Sequence, residues 1–95
     1  MPFSIQLDGS SLKLTLSGEL TIAQARELAD ALKPILGPNV ALAVDASQLT
    51  RLDAAVLQIL LVCAQIAVDT TLIGTSPAWT AAFTRYASPD PFRIA

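Results

Sequence analysis

Residues 40–60 read V-A-L-A-V-D-A-S-Q-L-T-R-L-D-A-A-V-L-Q-I-L. The first five residues are an unbroken apolar run ending in Asp45, the signature of a strand that is covered on both sides or lies in a parallel sheet. A-S-Q-L-T-R then reads as a polar connection. Asp53 stands before two alanines and a long apolar stretch, so the spacing predicts a helix over about 54–67 with Asp53 as N-cap. A strand followed closely by a helix is half of a β-α-β unit, and the flanking sequence completes it.

Upstream, F-S-I-Q-L alternates apolar and polar residues, and L-K-L-T-L-S resumes the alternation after Asp8-Gly9. The two stretches predict an antiparallel hairpin over 3–7 and 11–16, with Gly18 ending the second strand. Thr21 with Gln24 three residues on predicts a capping box. Ile22, Ala25, Ala29, Leu32 and Leu36 then recur at helical spacing, with Arg26, Glu27, Asp30 and Lys33 outward. Pro34 ends that helix, and Gly37-Pro38-Asn39 is a loop. Downstream, T-L-I-G is a short strand. Ser76-Pro77 opens a third helix, on which Trp79, Phe83 and Tyr86 share the packed face. S-P-D-P breaks it, and F-R-I is a short last strand. The expected fold is a single α/β domain over residues 1–95, a mixed sheet in the order β-β-α-β-α-β-α(-β).

Composition narrows the function. The 95 residues are 53% hydrophobic with a net charge of −2, the opposite of a disordered chain. The six basic residues are scattered, so neither a nucleic-acid stripe nor a polybasic membrane patch is expected. One cysteine and no histidine argue against a disulfide framework and a structural zinc site, and fit a reducing cytoplasm. The apolar run Ala54–Val68 is too short to cross a bilayer and carries Gln58 and Gln65. The N-terminus lacks the regions of a signal peptide. No cofactor and no metal are expected. Asp53 has no second carboxylate or histidine nearby in sequence, so no catalytic role is expected.

The helix after Asp53 carries the functional signal. Val56, Ile59, Leu60, Cys63 and Ala67 share its core face. The opposite face holds Ala54, Gln58, Val62 and Gln65, flanked by Leu57 and Leu61, and has no charge along its length. An uncharged outer face is covered either by another part of the same small domain or by another protein, and the few elements in 95 residues favour the second.

L-K-L-T-L-S-G-E-L, V-A-L-A-V-D, L-D-A-A and L-I-G-T-S-P-A, in this order and spacing, resemble the STAS domain of bacterial anti-sigma-factor antagonists. The resemblance implies helices packed mainly on one side of the sheet and a non-catalytic binding role in signal transduction and transcription regulation. In phosphorylatable members the turn reads Asp-Ser-Ser-Gly or Asp-Thr-x-Gly, and the hydroxyl residue after the aspartate accepts phosphate from a kinase that doubles as anti-sigma factor. Asp53 matches that aspartate. Ala54 stands at the phosphoacceptor position, Ala55 follows, and Val56 replaces the usual glycine. The expected partner-binding residues are Asp45, Ser47, Thr50, Asp53, Ala54, Ala55, Gln58, Leu61, Val62 and Gln65. The partner is an anti-sigma or histidine-kinase-like ATPase or a chemotaxis component. The alternative is the ATPase of a phospholipid-transport ABC system that a STAS subunit braces, and a homodimer through the apolar helix face is a third arrangement.

Overall fold

The computed structural model describes residues 3–86 and 91–94, and at Arg93 and Ile94 the backbone alone. Five strands and three helices alternate: β1 (Phe3–Asp8), β2 (Ser11–Leu20), α1 (Ile22–Leu32), β3 (Ala41–Leu52), α2 (Ala54–Ile66), β4 (Asp69–Gly74), α3 (Pro77–Tyr86) and β5 (Arg93–Ile94). The strands lie in chain order in one sheet. β1 is antiparallel to β2, and β2 through β5 are parallel. A parallel crossover is right-handed, and three successive crossovers moving the same way put all three helices on one face.

That face is the core. Leu12, Leu14 and Leu16 of β2, Leu42, Val44 and Ala46 of β3, and Leu72 of β4 are buried beneath the helices. Their alternating neighbours Lys13, Thr15, Ala41, Ala43, Thr71 and Ile73 are exposed or half-buried. V-A-L-A-V is thus a parallel strand with one covered face, not two.

The hairpin register places Phe3 opposite Leu16 and Asp8 opposite Ser11, with Gly9 at φ +62° in the turn. Gly18 does not end β2. It sits at φ +66° inside the strand, which continues to Leu20 beside an equally long β3. Residues 46–51, expected as a polar connection, are strand. The reason is two bulges. Thr15 pairs with Asp45 but Ser17 with Gln48, and Gly18 pairs with Leu49 but Glu19 with Arg51. Each shift adds one residue to β3, so its buried positions become Ala46, Leu49 and Leu52. A spacing of two has become a spacing of three. Ser47 and Thr50 therefore belong to a bulged strand rather than a loop.

The Thr21 capping box forms as expected: the Thr21 side chain accepts from Ala23 N–H at 3.3 Å, and Gln24 Oε1 accepts from Thr21 N–H at 2.9 Å. The buried face of α1 is Ala25, Leu28 and Leu32. Ile22 is 74% exposed, and Ala29 and Leu36 are half-buried, so the inward stripe is rotated from the one the spacing suggested. In α2 Val56, Leu60 and Cys63 are buried as expected, Leu57 joins them, and Ile59 is half-buried. In α3 Trp79 and Phe83 are buried, while Tyr86 is 53% exposed. Ser76 Oγ accepts from Trp79 N–H at 3.5 Å. The break expected at Ser88–Pro91 lies, apart from Pro91, outside the described residues. Thr70 Oγ1 donates to Pro91 O at 3.3 Å, which ties the approach to β5 onto β4.

Candidate functional site

The start of α2 is set by β2 and β3. Asp53 N–H donates to Leu20 O at 3.0 Å, and Leu57 N–H donates to Asp53 O at 3.0 Å. The first residues of α1 and α2 thereby lie side by side at the carboxyl ends of adjacent parallel strands, the usual place for a site in an open α/β sheet. Asp53 has the extended backbone of an N-cap, but its side chain caps nothing. Its Oδ1 instead accepts from Arg51 Nε at 3.0 Å, and Arg51 Nη1 also lies 3.9 Å from Glu19 Oε2. Exposed pairs of this kind contribute about 0–1 kcal/mol, so they orient Arg51 more than they stabilise the fold. With its aspartate turned away, the first turn of α2 is left without the expected side-chain cap.

The ten expected residues are spread from β3 through α2 and over two grooves. Ala54, Ala55 and Leu61 are half-buried, and Gln58, Val62 and Gln65 are exposed, all on α2. Neither alanine of the D-A-A turn is sealed into the interior. Ala55, Gln58 and Val62 line a groove of about 550 Å3 against α1. Thr50 and Asp53 line a different groove, of about 660 Å3, whose far wall is α3.

Asp45 and Ser47 are tied to β4. Asp45 Oδ1 accepts from Ser47 N–H at 3.0 Å and from Ser47 Oγ at 2.7 Å. Gly74 pairs with Asp45 in the register, and a Cβ there would lie 2.5 Å from Asp45 Oδ1 and 3.1 Å from Ser47 Cβ. A side chain at residue 74 would displace this turn, so glycine is required by close approach rather than by φ.

The Ser47 N–H holds the Asp45 carboxyl below its ordinary value of 3.8. The Ser47 hydroxyl and Lys13 add to the effect, and partial burial opposes it. A depressed carboxylate contributes stability that is present above 3.8 and is lost as pH falls through its lower native value. Asp45→Asn is therefore expected to remove part of the acid-induced loss of stability. Urea midpoints of the two proteins should differ at neutral pH and converge in strong acid. A constant difference down to pH 2 would show that the Ser47 contacts do not favour the ionised form.

Arg51 and Arg85 were not expected at the site, and Tyr86 was expected in the packed face of α3. Arg51, Arg85 and Tyr86 line the α3-side groove, and the Arg85 guanidinium stands 5.9 Å from the Tyr86 ring centroid. Arg51 two residues before Asp53 was the available signal, masked by reading 46–51 as a loop. Burial raises the Cys63 thiol above its ordinary value, in keeping with a packing role. Among the described residues no group of three or more His, Cys, Asp or Glu is placed to hold a metal ion. No helix among them is long and apolar enough to cross a membrane.

A one-sided mixed sheet with paired helix starts beside its strand ends is the architecture of anti-sigma-factor antagonists. An antagonist from Mycobacterium paratuberculosis superposes with a TM-score of 0.77 at 18% identity, over 97% of this chain and 82% of its own. The antagonist SpoIIAA in its unphosphorylated form gives 0.80 at 15% identity, over 98% and 87%. An uncharacterized protein with a SpoIIAA-like fold from Shewanella loihica gives 0.59 at 19% identity, over 98% and 83%. The family model described as Mlab, STAS domain, matches residues 3–88, and the chain belongs to that family. No curated protein matches it.

Proposed function

We propose that this protein is a non-catalytic, cytoplasmic bacterial binding module that regulates a partner protein through the start and outer face of α2, without phosphorylation at residue 54. The partner is an anti-sigma or histidine-kinase-like ATPase, or a chemotaxis or two-component protein. The observation that carries this reading is Ala54: it is the first residue of α2, half-buried, and holds a methyl group where the family resemblance puts a hydroxyl. Phosphate would bring about −1.5 to −2 charges and three acceptor oxygens to that turn. A methyl group can carry neither, so the surface is fixed in the form of the unphosphorylated state. The partner-facing set under this reading is Asp53, Ala54, Ala55, Gln58, Leu61, Val62 and Gln65. Thr50 extends it toward α3, and Asp45 and Ser47 form a neighbouring turn.

The second reading is a STAS subunit of a phospholipid-transport ABC system. Ala54 favours it equally, because a bracing contact needs no switch. Affinity purification of the tagged protein from its native cell separates the two. Stoichiometric recovery of a kinase-like ATPase or a chemotaxis protein supports regulation, and recovery of an ABC-type ATPase supports transport. Incorporation of phosphate from ATP at Ser47 or Thr50, the hydroxyls nearest residue 54 in sequence, with loss of partner binding in the presence of the recovered kinase, would refute phosphorylation-independent regulation.

A further inference from the structure

Helices α1 and α2 run side by side in the same direction, because each crosses between successive parallel strands. The Asp53 to Leu20 hydrogen bond holds their starts level. Between them lies the groove of about 550 Å3, and it contains one charge of each sign, Asp30 and Lys33, both exposed and both from α1. On the other wall α2 offers no charge, and its Val62 and Ile66 are 54% and 44% exposed. The midpoint of Asp30 and Lys33 and the midpoint of Val62 and Ile66 each fall about ten residues into their helices, the same height at 1.5 Å per residue.

That arrangement is self-complementary about one axis. A two-fold axis crossing both helices at this height turns α1 antiparallel to the partner's α1 and α2 antiparallel to the partner's α2. Asp30 then meets the partner's Lys33 twice, and Val62 meets the partner's Ile66 twice, as an isologous interface requires. Half-buried Ala29 beside the axis lets the helices approach closely. We infer that this face is a dimer surface and that a second copy of this chain covers the α1–α2 groove. The contact shares Val62 and Gln58 with the outer face of α2 proposed above, so a second copy and the partner compete there, while its own test needs no partner.

A two-helix face lies at the low end of interface size, where contacts are weak and transient, so association is sought at protein concentrations from about 10 μM to 1 mM. Sedimentation velocity across that range tests it. The wild-type chain is expected to pass from monomer to dimer. Asp30→Lys sets like charges together twice, as does Lys33→Asp, and each is expected to weaken the dimer about tenfold or more. Mixing the two variants makes every cross-pair opposite in sign, so an equimolar mixture is expected to dimerise where neither component does. Val62→Glu is expected to abolish association. Circular dichroism checks that each variant keeps the fold, which exposed positions favour. A wild-type chain that stays monomeric to 1 mM would overturn the inference. A mixture no more associated than its components would overturn it as well, as would a dimer indifferent to all three substitutions.

Discussion

Trp79→Ala is expected to remove about 3–5 kcal/mol of stability, a large fraction of the roughly 5–15 kcal/mol available to a domain of this kind. Trp79 is 1% exposed. It stacks on Phe83 with centroids 4.4 Å apart at 28°, and Phe92 stands edge-on to it at 5.3 Å and 81°. Phe83 and Phe92 are themselves edge-on at 6.2 Å. One indole thus joins α3 to the segment leading into β5, and its loss leaves a cavity that neither phenylalanine can fill without giving up its own contact. For a chain this short each kcal/mol lowers the melting temperature by about 4–8 °C, so a fall on the order of 15–30 °C is expected. Far-UV circular dichroism in urea must report it, because Trp79 is the single tryptophan. Trp79→Phe keeps an aromatic ring and should lose much less. A loss below about 1 kcal/mol for the alanine variant would mean that α3 is not anchored by this cluster.

Legibility followed the range of the interactions. Asp8-Gly9, the Thr21–Gln24 box and Ser76-Pro77 are local devices, and each produced its hairpin or helix start where the residues predicted. The extension of β2 and β3 was hidden because its cause is a pairing between strands. Two bulges move the buried positions of β3 to Ala46, Leu49 and Leu52, and a spacing of three looks like neither a regular strand nor a helix of this length. The helix wheels had the right period, and Ala25, Leu32, Val56, Leu60 and Cys63 are buried as expected, but the phase was off by a fraction of a turn. Which way α1 and α2 turn is decided by what they pack against. The sheet draws in Leu28 and Leu57 and leaves Ile22 in solvent, a choice that hydrophobicity alone does not encode. The candidate site divides in the same way. The uncharged face of α2 follows from its own sequence. The capture of Asp53 by Arg51 and the closing of Asp45 and Ser47 against Gly74 depend on bulge geometry and on a neighbouring strand.

Ala54→Glu is expected to separate the fold from the function. An acidic residue in the first turn of a helix is favourable to the helix by about 0.3–1 kcal/mol. The first turn of α2 has no acidic residue and no side-chain cap. Ala54 is half-buried rather than sealed in, so the longer side chain can turn toward solvent, and the melting temperature should hold or rise slightly. Binding should move the other way. If the start of α2 is the contact, a carboxylate there must be desolvated without a counter-charge. An unpaired charge buried at an interface costs about 2–5 kcal/mol, or about 30-fold to several thousand-fold in affinity. Ala54→Ser is the control: it restores the hydroxyl without a charge and should bind as the parent does. Titration calorimetry of the three proteins against the partner recovered from the native cell reads both effects. Undiminished affinity of the glutamate variant would place the contact elsewhere on the domain. A loss of affinity accompanied by an equal loss of stability would show that residue 54 acts through the fold and not through the surface.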